Sequence, residues 1–359
     1  MEFNKQDALN QGLAKWIIKQ KKLLNISAIS EETGVSRTQL NRVLEGKADF
    51  NNGHFNKLFP VLKDWFGLTE EQLIELVQDA AKILAFWNQK GGVGKTTCCN
   101  SIAGVLTDQG KKVLVMDCDY QGNSTSLWNI DKQAFPMEIM DALEDTQGEL
   151  IRDCIVQLHD ISEQLYILPS YGKLNNLETS EKLTTKQKLE SFKNIVNKIR
   201  FEYDYILMDM RPDMYGLFSE APLGAAEWVF LPVEASLFSF DGLSRSVSYL
   251  KERKKDNPLL KIGGAFFNRT KPGKNQMEQI ENYALGAERE GIYVFESIIR
   301  DSVGIQKAFT YRYDPTVFLN KFNEGEIADF PKTQLEPIKN AKSDFMELTT
   351  ELLNRIQNG

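Results

Sequence analysis

The chain has 359 residues, 42% hydrophobic and 26% charged, with a net charge of −7. That is the composition of a soluble globular protein with room for two or three domains, and it excludes a disordered chain, a collagen-like repeat and a fibrous protein. Uncharged apolar runs such as 205–208 and 229–233 are strand-length, far short of the ~20 residues of a membrane helix. The first residues lack the apolar core of a secretory signal. Cys98, Cys99, Cys118 and Cys154 show neither a metal spacing nor a disulfide framework, so the expectation is a cytoplasmic protein.

Charge is unevenly placed. Residues 1–63 hold ten Lys/Arg against six Asp/Glu, and residues 64–80 hold five acids and no base. Over 7–24, Leu9, Leu13, Trp16, Ile17 and Leu24 follow helical spacing. A short helix over 26–33 and a turn at Gly34 follow. Ser36 then caps a helix that carries Leu40, Val43 and Leu44 on one face and ends at Gly46. Further helices fit 55–66 and, behind the Thr69/Gln72 capping pair, 70–81.

From residue 82 the rhythm changes. Strands are expected at 83–87, 112–117, 165–168, 205–209, 228–233, 262–268 and 293–299. Most are continuous apolar runs, as in a parallel sheet buried on both faces, and helical stretches separate them. The expected organisation is a small all-α domain over 1–80 and an α/β domain over 81–359, a mostly parallel sheet with helices on both faces. No Pro/Gly/Ser linker marks the boundary, which predicts a helical connection. The polar segment 131–164 stays unassigned.

Directly after the first strand lies Gln89-Lys90-Gly91-Gly92-Val93-Gly94-Lys95-Thr96-Thr97. Its glycines let backbone amides turn toward a polyphosphate, and the helix opening near Lys95 adds its positive end. Lys95 suits the β- and γ-phosphates, and the Thr96 hydroxyl suits Mg²⁺. The usual first glycine is Gln89, and a second lysine, Lys90, follows it. This pattern resembles the deviant Walker A motif of the ParA/MinD family of dimeric ATPases.

The resemblance implies a P-loop NTPase fold, ATP with Mg²⁺, and nucleotide contacts from residues 91 to 97. It also implies that Lys90 reaches across a homodimer to the partner's phosphates. Residues 113–123 resemble the family's second motif, D-x-D-P-Q-G-N, with Tyr120 in place of proline. By that resemblance Asp119 orients or deprotonates the attacking water. Residues 205–212 resemble Walker B, with Asp209 holding Mg²⁺. The usual D-T-P-P becomes Asp209-Met210-Arg211-Pro212, and Arg211 reads as a solvated surface cation. Asn268 ends a strand where relatives place an adenine-contacting polar residue.

Residues 26–43 have helix-turn-helix grammar: Ile29, Leu40 and Val43 inside, Gly34 at the turn. Arg37, Thr38, Gln39, Asn41 and Arg42 then face a major groove. Together with the ATPase motifs, this resembles plasmid partition ParA proteins that repress their own operon. The implied function is a nucleoid-associated DNA-segregation ATPase that dimerises on ATP. Its implied partners are operator DNA, non-specific DNA and a centromere-binding ParB-like protein. Arg269, Lys271 and Lys274 are candidates for the non-specific mode. The alternative is an ATP-gated transcriptional regulator without a segregation role. His54 and His159 lack clustered ligands, residues 251–255 read as a solvated helix face, and the acidic terminal helix over 343–357 suits packing better than a membrane.

Overall fold

A computed structural model describes residues 5–45, 48, 50–78, 80–146, 150–234, 239–271 and 273–359. The chain divides into two compact units, Met1–Ala81 with Asn197–Glu202, and Lys82–Val196 with Tyr203–Gly359.

The first unit carries α1 (Lys5–Lys19), α2 (Ile26–Thr33), α3 (Arg37–Leu44), α4 (Asn52–Phe66) and α5 (Glu70–Gln78). Its core gathers Leu13, Ile17, Ile29, Leu40, Val43, Leu58, Leu62 and Leu73. The caps are local and explicable. The Asn25 side chain accepts from the Ala28 amide, and Gly34, at φ +65°, closes α2 in the left-handed region. The Ser36 side chain accepts from the Gln39 amide and starts α3. A β-carbon on Gly12 would lie 2.2 Å from the Leu73 carbonyl oxygen, so α1 and α5 approach as only glycine allows.

Several boundaries differ from the sequence reading. α1 stops at Lys19, because residues 20–23 form turns before Leu24 buries. α4 starts at Asn52, because Asn51 and His54 form a reciprocal capping box. Gly46, expected to end α3, lies outside the described residues.

The second unit runs β1 (Lys82–Phe86), α6 (Lys95–Asp108), β2 (Val113–Cys118), α7 (Asn123–Leu127), α8 (Ile139–Glu144), β3 (Val156–Gln157), β4 (Leu165–Leu168) and α9 (Thr185–Ile199). It continues through β5 (Tyr205–Met210), α10 (Leu217–Ala225), β6 (Trp228–Val233), α11 (Ser239–Arg253), β7 (Lys261–Thr270), α12 (Lys274–Arg289) and β8 (Val294–Arg300), then α13 (Val303–Thr310), α14 (Pro315–Asn323) and α15 (Glu336–Asn358).

The strands form one sheet in the order β3-β4-β2-β5-β1-β6-β7-β8. All described pairings are parallel except β3 with β4. The central strands are buried along nearly their whole length, which explains their continuous apolar runs. α6 and α15 cover part of the sheet through Ile102, Leu106, Phe345, Leu348 and Leu352. Within 131–164 the chain forms α8 and the two-residue β3, both too short for a periodic signal. Ala80 and Ala81 lie outside any helix, which corrects the expected helical connection. Among the described residues, no helix is long and apolar enough to cross a membrane.

Candidate active site

The carboxyl ends of β1, β2 and β5 converge. In the register of β2 with β5, Asp117 lies opposite Asp209, and Asp209 also pairs with Phe86 at the end of β1. The loop after β1 therefore sits beside both acids, the position where open α/β sheets bind ligands.

That loop is shaped by glycine and held from outside. Gly92 and Gly94 have φ of +76° and +88°, which ordinary side chains disfavour. The Asn268 amide nitrogen donates to the Val93 carbonyl at 2.8 Å, and Arg269 Nη1 donates to the Gly92 carbonyl at 3.1 Å. A β-carbon on Gly94 would lie 2.1 Å from Asn268 Nδ2. Two residues expected to contact adenine and DNA thus brace the loop itself. The sequence reading singled out the 2%-exposed Asn268, but its bracing role is legible only from the fold, since its partner is 175 positions away.

Lys95 is buried and its Nζ donates to the Lys90 carbonyl at 3.1 Å. Burial lowers its pKa, against the opposing pull of Asp209, Asp119 and Asp213. Burial pushes Asp209 up to about 6, with the hydroxyls of Ser124 and Thr96 holding it down. Asp209 Oδ2 accepts from Ser124 Oγ at 2.8 Å, while its buried Oδ1 has no hydrogen-bond partner among the described residues. An orphaned carboxylate oxygen next to a threonine hydroxyl and a buried lysine fits a hard divalent cation on a polyphosphate.

Asp119 is 9% exposed, and its Oδ1 accepts from the Gln121 amide at 3.0 Å. It is fixed from beneath by Asp117, which the sequence reading gave no role. Asp117 Oδ1 accepts from the Asp119 amide at 3.3 Å, and Oδ2 accepts from the amide and hydroxyl of Thr125 at 2.8 and 2.7 Å. Burial first, then the neighbouring Asp209, raises the Asp117 pKa well above the ordinary carboxylate value. A buried chain also leads to Asp209: Trp128 Nε1 donates to Asn100 Oδ1, and Asn100 Nδ2 donates to Ser124 Oγ at 2.6 Å.

The Lys90 side chain meets Glu234. Its Nζ is 3.5 Å from Glu234 and its side chain is half exposed. Arg211, expected in solvent, is packed: it pairs with Asp213 at 2.8 Å and lies over the Tyr120 ring. Gly91, Thr96 and Thr97 stand at the loop and the first turn of α6.

Elsewhere in the second unit, Lys271 is exposed and 3.8 Å from Asp301. Lys274 opens α12, but its side chain lies outside the described residues. In the first unit, α3 buries Leu40 and Val43 and exposes Arg37, Thr38, Asn41 and Arg42, with Gln39 half-buried. Arg37 pairs with Glu31 at 3.2 Å.

A family model described as an AAA domain matches residues 81–262. The chromosome-partitioning ATPase Soj of Treponema pallidum is 31% identical over 233 residues, covering 63% of this chain and 86% of that protein. The sporulation initiation inhibitor protein Soj of Bacillus subtilis is 30% identical over 246 residues, covering 65% of this chain and 92% of its own length. Cobyrinic acid a,c-diamide synthase from Mycobacterium smegmatis, solved with bound ADP and magnesium, superposes with a TM-score of 0.60 at 21% identity. That match covers 78% of this chain and 96% of the synthase, and it speaks for the fold.

Proposed function

Because the chain belongs to the ParA/MinD family of P-loop ATPases, we propose that it is a DNA-partition ATPase that pairs with a second copy on ATP. The paired form binds DNA in the cytoplasm, and a centromere-bound ParB-like protein stimulates hydrolysis and release. The observation that carries the reading is the cluster of buried Lys95 and Asp209 with half-buried Thr96, and its orphaned carboxylate oxygen, beside the braced glycine loop.

In this reading the amides of residues 91–97 and Lys95 hold the polyphosphate of ATP. Thr96 and Asp209 hold Mg²⁺, which supplies charge neutralisation on the phosphates when bound. Asp119, steadied by Asp117, orients the attacking water and takes its proton, since phosphoryl transfer is catalysed mainly by positioning and electrostatics. Lys90, half exposed, is free to swing from Glu234 to the phosphates of the paired copy. Binding to random-sequence duplex, measured with ATP and with ADP, tests the proposal. Binding confined to the ATP state and prolonged by Asp119→Ala supports it, and equal binding in both states contradicts it.

The outward row of Arg37, Thr38, Asn41 and Arg42 on α3 supports an added role as a repressor of its own operon. Arg42→Ala then loses operator discrimination and keeps ATP-dependent binding to random duplex, because base-edge contacts carry sequence information and phosphate contacts do not. Unchanged operator affinity contradicts this assignment. An ATP-gated regulator without segregation differs by its indifference to any centromere-bound partner.

A further inference from the structure

We propose that the hollow beside the Asp119 loop is a second binding site, for a small phosphate monoester, separate from the nucleotide site. The hollow has a volume of about 400 Å³ and is lined on one side by Tyr120 and Gln121, the two residues that follow Asp119. Among the described lining residues the charged ones are Lys132 and Arg312, and none is a carboxylate. The loop lysines, Thr96, Asp209 and Asn268 take no part in it.

Three features show a site built for an anion. Ser170, 2% exposed, and Tyr171 both line the hollow, and among the described residues neither of their buried hydroxyls has a hydrogen-bond partner. Each buried polar group left unpaired costs ~1–3 kcal/mol, so both are donors waiting for an acceptor. The Arg312 guanidinium is already aimed, its Nη1 donating to the Ser126 carbonyl at 2.8 Å. Its remaining N–H groups leave a planar fork that suits phosphate oxygens.

Backbone conformation concentrates here as well. Among the described residues, three that are not glycine have left-handed φ, and two of them, Asn129 at 52° and Arg312 at 66°, line this one hollow. Such conformations cost ~1–2 kcal/mol for an ordinary side chain and gather at ligand clamps. The volume accepts a sugar phosphate or similar small molecule and not a nucleic-acid duplex. An occupant would touch the two residues after Asp119, so binding there constrains the loop that carries the proposed water-orienting carboxylate. The site itself stands whether or not the partition reading holds.

The test is calorimetric titration of full-length protein carrying Lys95→Ala, which removes the nucleotide-site cation. Ribose 5-phosphate, inorganic phosphate and unphosphorylated ribose are the probes. Lys132→Ala and Arg312→Gly are added singly; glycine keeps the left-handed backbone without the guanidinium. The expected result is one saturable site per chain for ribose 5-phosphate, none for ribose, and a tenfold or greater loss of affinity in each variant. Inorganic phosphate binding alone, weakened by the same variants, also supports the site. No binding of either phosphate, equal affinity for ribose, affinity unchanged in both variants, or displacement by a DNA duplex would overturn it.

Discussion

The guanidinium of Arg211 lies 4.2 Å from the centre of the Tyr120 ring. Both residues depart from the sequence pattern of the family, tyrosine for the proline after Asp119 and arginine in the segment after Asp209. The two departures touch. Arg211 also lies over the Phe218 ring at 5.1 Å and pairs with Asp213, whose carbonyl accepts from Trp87 Nε1 at 2.8 Å. The stack therefore ties the loop carrying Asp119 to the segment following β5.

If the two substitutions compensate, their effects are not additive. Arg211→Ala and Tyr120→Ala should each destabilise the fold by about 1–2 kcal/mol, with a coupling of ~0.5–1 kcal/mol in the double variant. Urea unfolding of the four proteins measures it. Strict additivity would remove the stack from any account of the loop.

The Asn268 amide on the Val93 carbonyl predicts a loop defect from its removal. Asn268→Ala should weaken ATP and GTP to a similar degree, by roughly tenfold, since a lost buried hydrogen bond is worth about 1–1.5 kcal/mol. Calorimetry with both nucleotides distinguishes the roles. A loss confined to ATP would point to base reading instead.

Asp314 predicts a pH dependence of stability. It caps α14, its Oδ1 accepting from the amides of Thr316 and Val317, while the buried Oδ2 has no partner among the described residues. Burial pushes its carboxyl up to about 7, against those amides and Lys342. The folded chain then holds a proton that the unfolded chain releases above about pH 4, so this contribution to stability is full below pH 4 and is lost as pH rises toward 7. Asp314→Asn keeps the capping oxygen and should flatten that part of the profile, a difference on the order of 3–4 kcal/mol across the window. Matching urea midpoints for wild type and variant from pH 4 to 8 would contradict the burial argument.

Sequence legibility followed the range of the interactions. The strands at 165–168 and 228–233 and the glycine loop were readable because apolar runs and turn chemistry are local. Helix α8 and strand β3 were not, since six and two residues are too few for a period to show. Asp117, Asn100 and Ser124 went unread because their importance lies in side-chain partners that only the folded chain brings into contact: Thr125, Trp128 and Asp209. Arg211 was misread for the same reason. An arginine after a strand carries no mark of the ring it will meet.

The central claim is a composite site in which Lys90 of one copy serves the nucleotide held by Lys95 and Asp119 of the other. Phosphate release from an equimolar mixture of Lys90→Ala and Asp119→Ala chains tests it most directly. Each variant alone should be nearly inactive while still binding ATP. In the mixture, half of the chains pair as heterodimers, each with one intact site, so roughly a quarter of wild-type turnover should return, counted from the two-copy arrangement alone. Activity no higher than that of the two variants measured separately would contradict the shared site and confine Lys90 to its own chain.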